Sequence, residues 1–468
     1  MRLKTEKPSG NPRLDDLPKG HDGKVRALYL WRVLSKDSST ILSKLLGASG
    51  WMMLIKLLGA ASGYALAWLV TQREDAAAYG RFELGLTVLA IGALAARLGL
   101  DGVMVKWLAS SQARDLRAIQ LKLVGRAMLV TGVAGLGLAW LTYSGRHLLT
   151  SWSGDPMTLD MWPWVALGIP VLAVWALSAE MLRGLSRMKQ YALSQQGLLT
   201  ALAVAVMWFS SFDVVQAYAW AVGMVAILAV AMVLTSLSWQ KGGSEELALP
   251  EWSWKAMFST GWPMLMGSAM YLVMSWSDTL LVAYHLEEDQ VGIYRLTFKL
   301  AAVVTLVQAA VNSYAAPLFA ERHAVGDHQG VRDTLRHATL LNVAFSIPAF
   351  LAIVVFGPSV LGWFGSEFVL GTSCLMWLAV GQLSMTLCGP VMYVLNMTGY
   401  ERISNRILWT TALVNVGLNL LAIPRWGIVG AAMATAVSLA IWNVGAAWAV
   451  HSKLGFAVWL DLWKARRR

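Results

Sequence analysis

Seven ionisable residues sit inside long apolar stretches of this 468-residue chain: Lys56, Glu83, Arg97, Asp101, Glu180, Asp278 and Lys299. A charge at the centre of a bilayer costs about 3 kcal/mol or more, so it takes a partner or faces a cavity. Spacing sorts most of them. Arg97 and Asp101 are four apart and can pair on one helical face, and Glu180 can pair with Arg183, three residues on. Asp278 and Lys299 can pair across neighbouring helices, or Lys299 can reach outward to the headgroups. Lys56 has no acidic residue three or four positions away. It lies about 16 Å into its span, which marks it as a cation lining a cavity. With the local pairs set aside, Lys56 and Lys299 stand against Asp278. That balance suits an anionic ligand; a diphosphate would gain strongly from ammonium groups in a low dielectric. A cavity for a lipophilic cation would instead be dominated by carboxylates. Gln308, Asn312, Asn415 and Asn419 also fall within spans, where they line a cavity or hydrogen-bond between helices.

Other chemistry has no residues to carry it. The pattern Gly-x-x-x-x-Gly-Lys-Ser/Thr is missing, and Gly23-Lys24-Val25 is the nearest approach, so a P-loop ATPase is excluded. The seven histidines are scattered and no His/Cys set has metal-ligand spacing. No cofactor is expected beyond a coupling proton or sodium ion. Cys374 and Cys388 are fourteen residues apart in one apolar block. On a helix that is about 21 Å, too far for a disulfide. The longest outer loop, near 145–161, is too small to hold the acceptor of a membrane glycosyltransferase or polymerase. The chain is therefore not expected to be an enzyme.

The elements that position these residues follow from composition. The chain is 57% hydrophobic and 14% charged, against roughly 45–50% and 25% for a soluble domain. Twelve apolar stretches read as transmembrane helices, at about 41–71, 79–105, 123–144, 162–184, 191–212, 214–238, 257–285, 291–318, 336–357, 371–396, 403–423 and 428–451. Asp213 marks the turn between the fifth and sixth, and Pro424 to Gly427 that between the last two. With both termini in the cytoplasm, thirty of the 38 Lys and Arg fall on the inner side, five on the outer side and three within spans. This satisfies the positive-inside rule. The net charge of +11 thus lies in tails and inner loops, and implies an anionic membrane surface and no nucleic-acid partner.

Residues 1–39 form a polar cytoplasmic arm with Pro8, Pro12 and Pro18. Ala27, Leu30, Trp31 and Leu34 follow helical spacing, either as a helix lying on the inner leaflet or as an extension of the first span. Residues 40–239 hold six helices, 240–256 a cytoplasmic linker, 257–452 six more helices and 453–468 a basic cytoplasmic tail. The halves repeat. Ser49-Gly50-Trp51-Met52-Met53-Leu54 recurs as Thr260-Gly261-Trp262-Pro263-Met264-Leu265, 211 residues on. Glu74-Asp75 and Arg81 recur as Glu288-Asp289 and Arg295, 214 residues on. Six helices per half make the repeats parallel, an arrangement that places a site between the halves.

Tyr79-Gly80-Arg81-Phe82, Leu98-Gly99-Leu100-Asp101 and Ala179-Glu180-Met181-Leu182-Arg183-Gly184 stand in order in the first half. Gly261-Trp262-Pro263, Asp278, Val291-Gly292-Ile293-Tyr294, Ala316-Pro317, Asn415, Asn419, Ile423-Pro424 and Gly427-Ile428-Val429-Gly430-Ala431-Ala432 follow in the second. From about residue 40 to 452 the chain resembles the multidrug/oligosaccharidyl-lipid/polysaccharide flippase superfamily, in its polysaccharide-transporter branch. The resemblance implies an all-α polytopic protein of about twelve transmembrane helices, built as two parallel six-helix bundles around a central cavity. It implies alternating access that carries an undecaprenyl-diphosphate-linked oligosaccharide from the inner to the outer leaflet of a bacterial inner membrane, with a polysaccharide polymerase and chain-length machinery as partners. It assigns Lys56, Lys299, Arg97, Gln308 and Asn312 to the head group, and Asp278 and Glu180 to ion coupling. A drug or metabolite/cation antiporter of the same fold is the alternative.

Overall fold

The computed structural model describes residues 48–113, 117–153, 156–194, 196–238, 254–324 and 326–455. The arm with its candidate helix at 27–34, most of the 240–256 linker and most of the basic tail lie outside the described residues. The packing described below belongs to the compact unit Met53–Arg468.

Among the described residues all regular structure is helical. The first half carries α1 (Ala48–Arg73), α2 (Ala76–Arg97), α3 (Leu100–Ala113), α4 (Arg117–Ser144), α5 (Trp162–Gly184), α6 (Gln196–Phe209) and α7 (Val214–Ser238). The second carries α8 (Trp254–His285), α9 (Glu288–Ala301), α10 (Leu306–Ala324), α11 (His328–Phe364), α12 (Thr372–Cys388), α13 (Val391–Met397) and α14 (Glu401–Leu454). Eight described helical stretches are each long and apolar enough to cross a bilayer. One of them, α14, has 54 residues and breaks at Gly427 (φ 56°, ψ −140°), so it is two spans, parted where Pro424 to Gly427 predicts. With α1, α6 and α8 these make twelve columns.

The helix ends follow local chemistry. Asp75 caps α2 by accepting from the Ala78 amide at 2.7 Å, and Asp327 caps α11 by accepting from Gly330 N at 2.8 Å. Asp213 accepts from the Gln216 amide at the start of α7. Four columns depart from expectation. The 79–105 span is two helices, because Leu98 (φ 50°) and Gly99 (φ 75°) are both left-handed. The 291–318 span is interrupted by a 3₁₀ turn at Ala302–Thr305, and the 371–396 span breaks at Gly389 (φ 69°). The 336–357 span runs instead from His328 to Phe364, through Pro348 and Pro358. The 145–161 segment is not an open loop: it holds a short helix, Arg146–Ser153, and a 3₁₀ turn, Pro156–Asp160.

Helices of each half pack mainly with one another, α4 and α7 on α5, α11 on α10, α12 and α8 on α14. The halves meet where α2 and α3 lie against α8 and α9. Here α2 and α9 cross backbone to backbone. A Cβ on Gly80 would lie 1.9 Å from the Glu288 carbonyl oxygen, and one on Gly292 would lie 2.2 Å from that of Ala76. The contact is reciprocal: each glycine meets the first residue of the opposite helix. It sets the structural register of the repeat at 212 residues, between the two offsets read from short motifs. Small residues that admit such approach are a main source of helix association in lipid, where no hydrophobic drive separates helix from acyl chain. Large apolar side chains face outward instead, among them Leu129, Val133, Trp140, Ile227, Val355 and Trp448. Cys374 and Cys388 are buried free thiols.

Candidate functional site

The α2–α9 crossing carries a charged network. Tyr79 and Glu83 are four apart on α2, and Arg295 and Lys299 are four apart on α9, so each pair shares a helical face. Glu83 is 1% exposed and its Oε2 lies 3.0 Å from Arg295 Nε. Its Oε1 lies 2.9 Å from Lys299 Nζ. The Tyr79 hydroxyl donates to Glu83 Oε1 at 2.8 Å and accepts from Lys299 Nζ at 2.9 Å. The Arg295 guanidinium covers the Trp276 ring of α8, 4.8 Å from its centroid. From α1, the Tyr64 hydroxyl donates to the Lys299 carbonyl at 2.8 Å. One turn away, Arg81 and Glu288 pair at 3.2 Å.

Two cations thus share one carboxylate where the halves meet. Lys299, 31% exposed, is the more open of them; Arg295 is 11% exposed. Under the 212-residue register Glu83 and Arg295 are equivalent positions of the two repeats, and they pair with each other. Lys299 does not pair with Asp278, as its place on the next span suggested, because its face of α9 turns to α2. Arg295, one of the five cations counted on the outer side from sequence, is largely buried within α9.

Asp278, on α8, is 2% exposed and has neutral partners. Asn419 Nδ2 donates to its Oδ1 at 2.6 Å. Thr435 donates to Oδ2 at 2.5 Å and Tyr294 to Oδ2 at 3.0 Å. Asn419 also donates to the Asn415 carbonyl at 3.0 Å. Among the described residues no Lys or Arg lies within ion-pair distance of Asp278. The two carboxylate sites are neighbours along α9, since Tyr294 serves one and Arg295 the other.

The remaining candidates scatter. Arg97 pairs with Asp101 at 2.8 Å and Arg183 with Glu180 at 2.7 Å, as their spacing predicts. The two pairs lie where α3 packs on α5. Neither Arg97 nor Glu180 joins the network around Lys299 or that around Asp278. Gln308 and Asn312 are buried on α10, beyond the 3₁₀ turn. Lys56 falls in α1, but its side chain lies outside the described residues. From sequence, Tyr79, Tyr294 and Arg295 stood only in family motifs or the repeat, Glu83 was counted without a role, and Thr435 went unnoticed. The recoverable signal was the two i, i+4 pairs, Tyr79/Glu83 and Arg295/Lys299, of which Glu83 and Arg295 hold equivalent positions in the repeat.

Comparison with known proteins places the chain among relatives. A family profile described as "Polysaccharide biosynthesis protein" matches residues 45–323, and one described as MatE matches residues 263–421. A probable low-salt glycan biosynthesis flippase of Haloferax volcanii, Agl15, is 30% identical over 171 residues, 36% of each chain. The chain therefore matches about a third of the length of that curated relative. The fold is that of a multidrug resistance MATE family transporter of the MOP superfamily in an inward-facing conformation, with TM-score 0.70 and 12% identity over 86% of this chain and 98% of that one. The lipid II flippase MurJ in an inward closed conformation gives TM-score 0.66 and 12% identity over 86% and 87%.

Proposed function

The chain belongs to the polysaccharide biosynthesis protein family of the multidrug/oligosaccharidyl-lipid/polysaccharide flippase superfamily, and from that premise we propose that it flips a lipid-linked oligosaccharide across a membrane. The cargo of this reading is an undecaprenyl-diphosphate-linked repeat unit, carried from the inner to the outer leaflet of a bacterial inner membrane by alternating access. Both termini face the cytoplasm, a proton or sodium gradient drives the cycle, and a polysaccharide polymerase with its chain-length machinery receives the product.

The observation that supports this reading is the sharing of Glu83 by Arg295 and Lys299. One positive charge is left over in a site largely withdrawn from water. Leaving a buried charge uncompensated is costly, and a diphosphate oxygen would compensate it by a charge-assisted hydrogen bond. Lys299 is the accessible donor. In the empty carrier Glu83 holds both cations across the α2–α9 contact; an arriving diphosphate competes with Glu83 for Lys299 and loosens that contact. The prenyl tail needs no polar site and stays among the acyl chains. Asp278 has neutral donors only, so an incoming cation would be its first charged partner, and Tyr294 ties it to the helix that carries Arg295. The MatE match over 263–421 favours a second reading, antiport of an organic cation. The excess of positive charge at the α2–α9 contact opposes it.

The test is translocation of a fluorescent lipid-linked oligosaccharide in proteoliposomes, with a fluorescent organic cation as the competing cargo. The expected outcome is movement of the lipid-linked sugar and a rate at least about tenfold lower for Lys299→Ala, since losing one charge-assisted contact costs about 1.5–3 kcal/mol. Movement of the organic cation alone would exchange the two readings. Wild-type rates for both Lys299→Ala and Lys56→Ala would remove the head-group assignment.

A further inference from the structure

The second half has a stripe of polar residues, all buried except the half-buried Thr305, outside both carboxylate sites. On α10 and the 3₁₀ turn before it stand Thr305, Gln308 and Asn312; on α11 stand Thr339, Asn342 and Ser346; on α12 stand Gln382 and Thr386. Each set follows three-, four- or seven-residue spacing, so each lies on one helical face. Three contacts fix how the faces meet. The Ser346 hydroxyl donates to the Val304 carbonyl at 2.6 Å. Thr305 donates to Gln382 Oε1 at 3.3 Å. A Cβ on Gly389, just past α12, would lie 2.0 Å from Thr339 Oγ1. These contacts set one layer at Thr305, Ser346 and Gln382 and another at Thr339 and Gly389. One helical turn (about 5.4 Å) from the first layer, the register places Gln308, Asn342 and Thr386 in a layer between.

That middle layer is where hydrogen bonding fails. Among the described residues Gln308 Oε1, Asn312 Oδ1 and both amide atoms of Asn342 are buried without a hydrogen-bond partner, and Asn342 is 0% exposed. Polar side chains that serve only to join helices would bond one another across the seam. Orphaned amides in a membrane interior instead need a partner that both donates and accepts. Water is such a partner, and it settles where two to four polar groups surround it. The seam ends beside Asp278. Gln382 follows Gly381, whose added Cβ would lie 2.7 Å from Ala436 Cα, and the preceding residue, Thr435, donates to Asp278. There Asn419 Oδ1 and Thr279 Oγ1 are orphaned as well. At its other end the seam meets the apolar cluster of Ala315, Phe319, Leu335, Ala338 and Val391.

We propose that the interface of α10, α11 and α12 is a water-filled seam, closed by that apolar cluster at one end and running to the neighbourhood of Asp278 at the other. Its water hydrates a small cation held at Asp278. That use rests on the ion-coupling reading above; the presence of the water does not. The test measures water directly. In a chain with Cys374→Ala and Cys388→Ala, a single cysteine is placed by Gln308→Cys, Asn342→Cys or Leu378→Cys, the last being a wholly buried apolar control on α12. Each variant in lipid nanodiscs is treated with a small water-soluble methanethiosulfonate, which reacts with the thiolate that only water supports. Labelling at 308 and 342 is expected to be about tenfold faster than at 378 or more; a difference below about threefold overturns the proposal. Thermal unfolding of Asn342→Leu gives a second reading. In a wet seam leucine expels water that Gln308 uses, and Tm falls. In a dry seam it removes an unsatisfied amide, so an unchanged or raised Tm overturns the proposal. Neither measurement involves cargo, so a failed flippase assay would leave both intact.

Discussion

Glu83 and Asp278 are both fully buried carboxylates within spans, and adjacent residues of α9 serve them, yet they are solved by opposite chemistry. Glu83 is held by two cations and a tyrosine. Asp278 is held by an amide and two hydroxyls. A carboxylate between cations is an electrostatic tie, and removing it strands its partners. A carboxylate among neutral donors strands no charged partner when it changes charge. The first arrangement suits joining the halves; the second suits a site that cycles between charged states.

The sharpest way to break this contrast is Glu83→Gln. It leaves Arg295 and Lys299 without an anion, and the expected loss is about 3–5 kcal/mol of stability, seen as a large fall in Tm. The exchange Glu83→Arg with Arg295→Glu places each charge on the opposite repeat and should recover at least half of that loss; no recovery would mean that the pair is not the tie described. Asp278→Asn is expected to cost less, about 1.5–3 kcal/mol from hydrogen bonds to a charged group. Its main signature is transport that no longer responds to an imposed ion gradient in proteoliposomes. Retained coupling would end the contrast. Arg97→Gln should do least, about 1 kcal/mol for a half-buried intrahelical pair, with translocation unchanged. A tenfold slower rate there would place Arg97 in the head-group site.

Much of the architecture was legible because the apolar stretches are long and charges are scarce between them. Asp213 and the segment Pro424 to Gly427 marked real turns, and the pairs Arg97/Asp101 and Glu180/Arg183 formed as their spacing required. The helix breaks were harder to read. Leu98 is not a residue that announces a left-handed backbone, and the break there exists because Gly99 packs against Gly261, where a Cβ would lie 1.9 Å from a carbonyl oxygen. The partner of Lys299 was missed for a related reason. Sequence neighbours suggested Asp278, one span earlier, but α9 turns that face toward α2, more than 200 residues upstream. The repeat pointed only to Glu83 and Arg295 as equivalents, and motif matching gave offsets of 211 and 214 where the contact between Gly80 and Gly292 sets 212.

That contact has a mechanical corollary. Each glycine's Cα sits against the carbonyl oxygen of the opposite helix's opening residue, and the point relates the two repeats to one another. If the repeats rock, this is the fulcrum. Spin labels flanking positions 80 and 292 should report nearly constant separation while the far ends of the same helices swing apart. A side chain at either glycine would lift the bearing surface for both copies at once, so these two duplicated positions are bound to each other in what they can become.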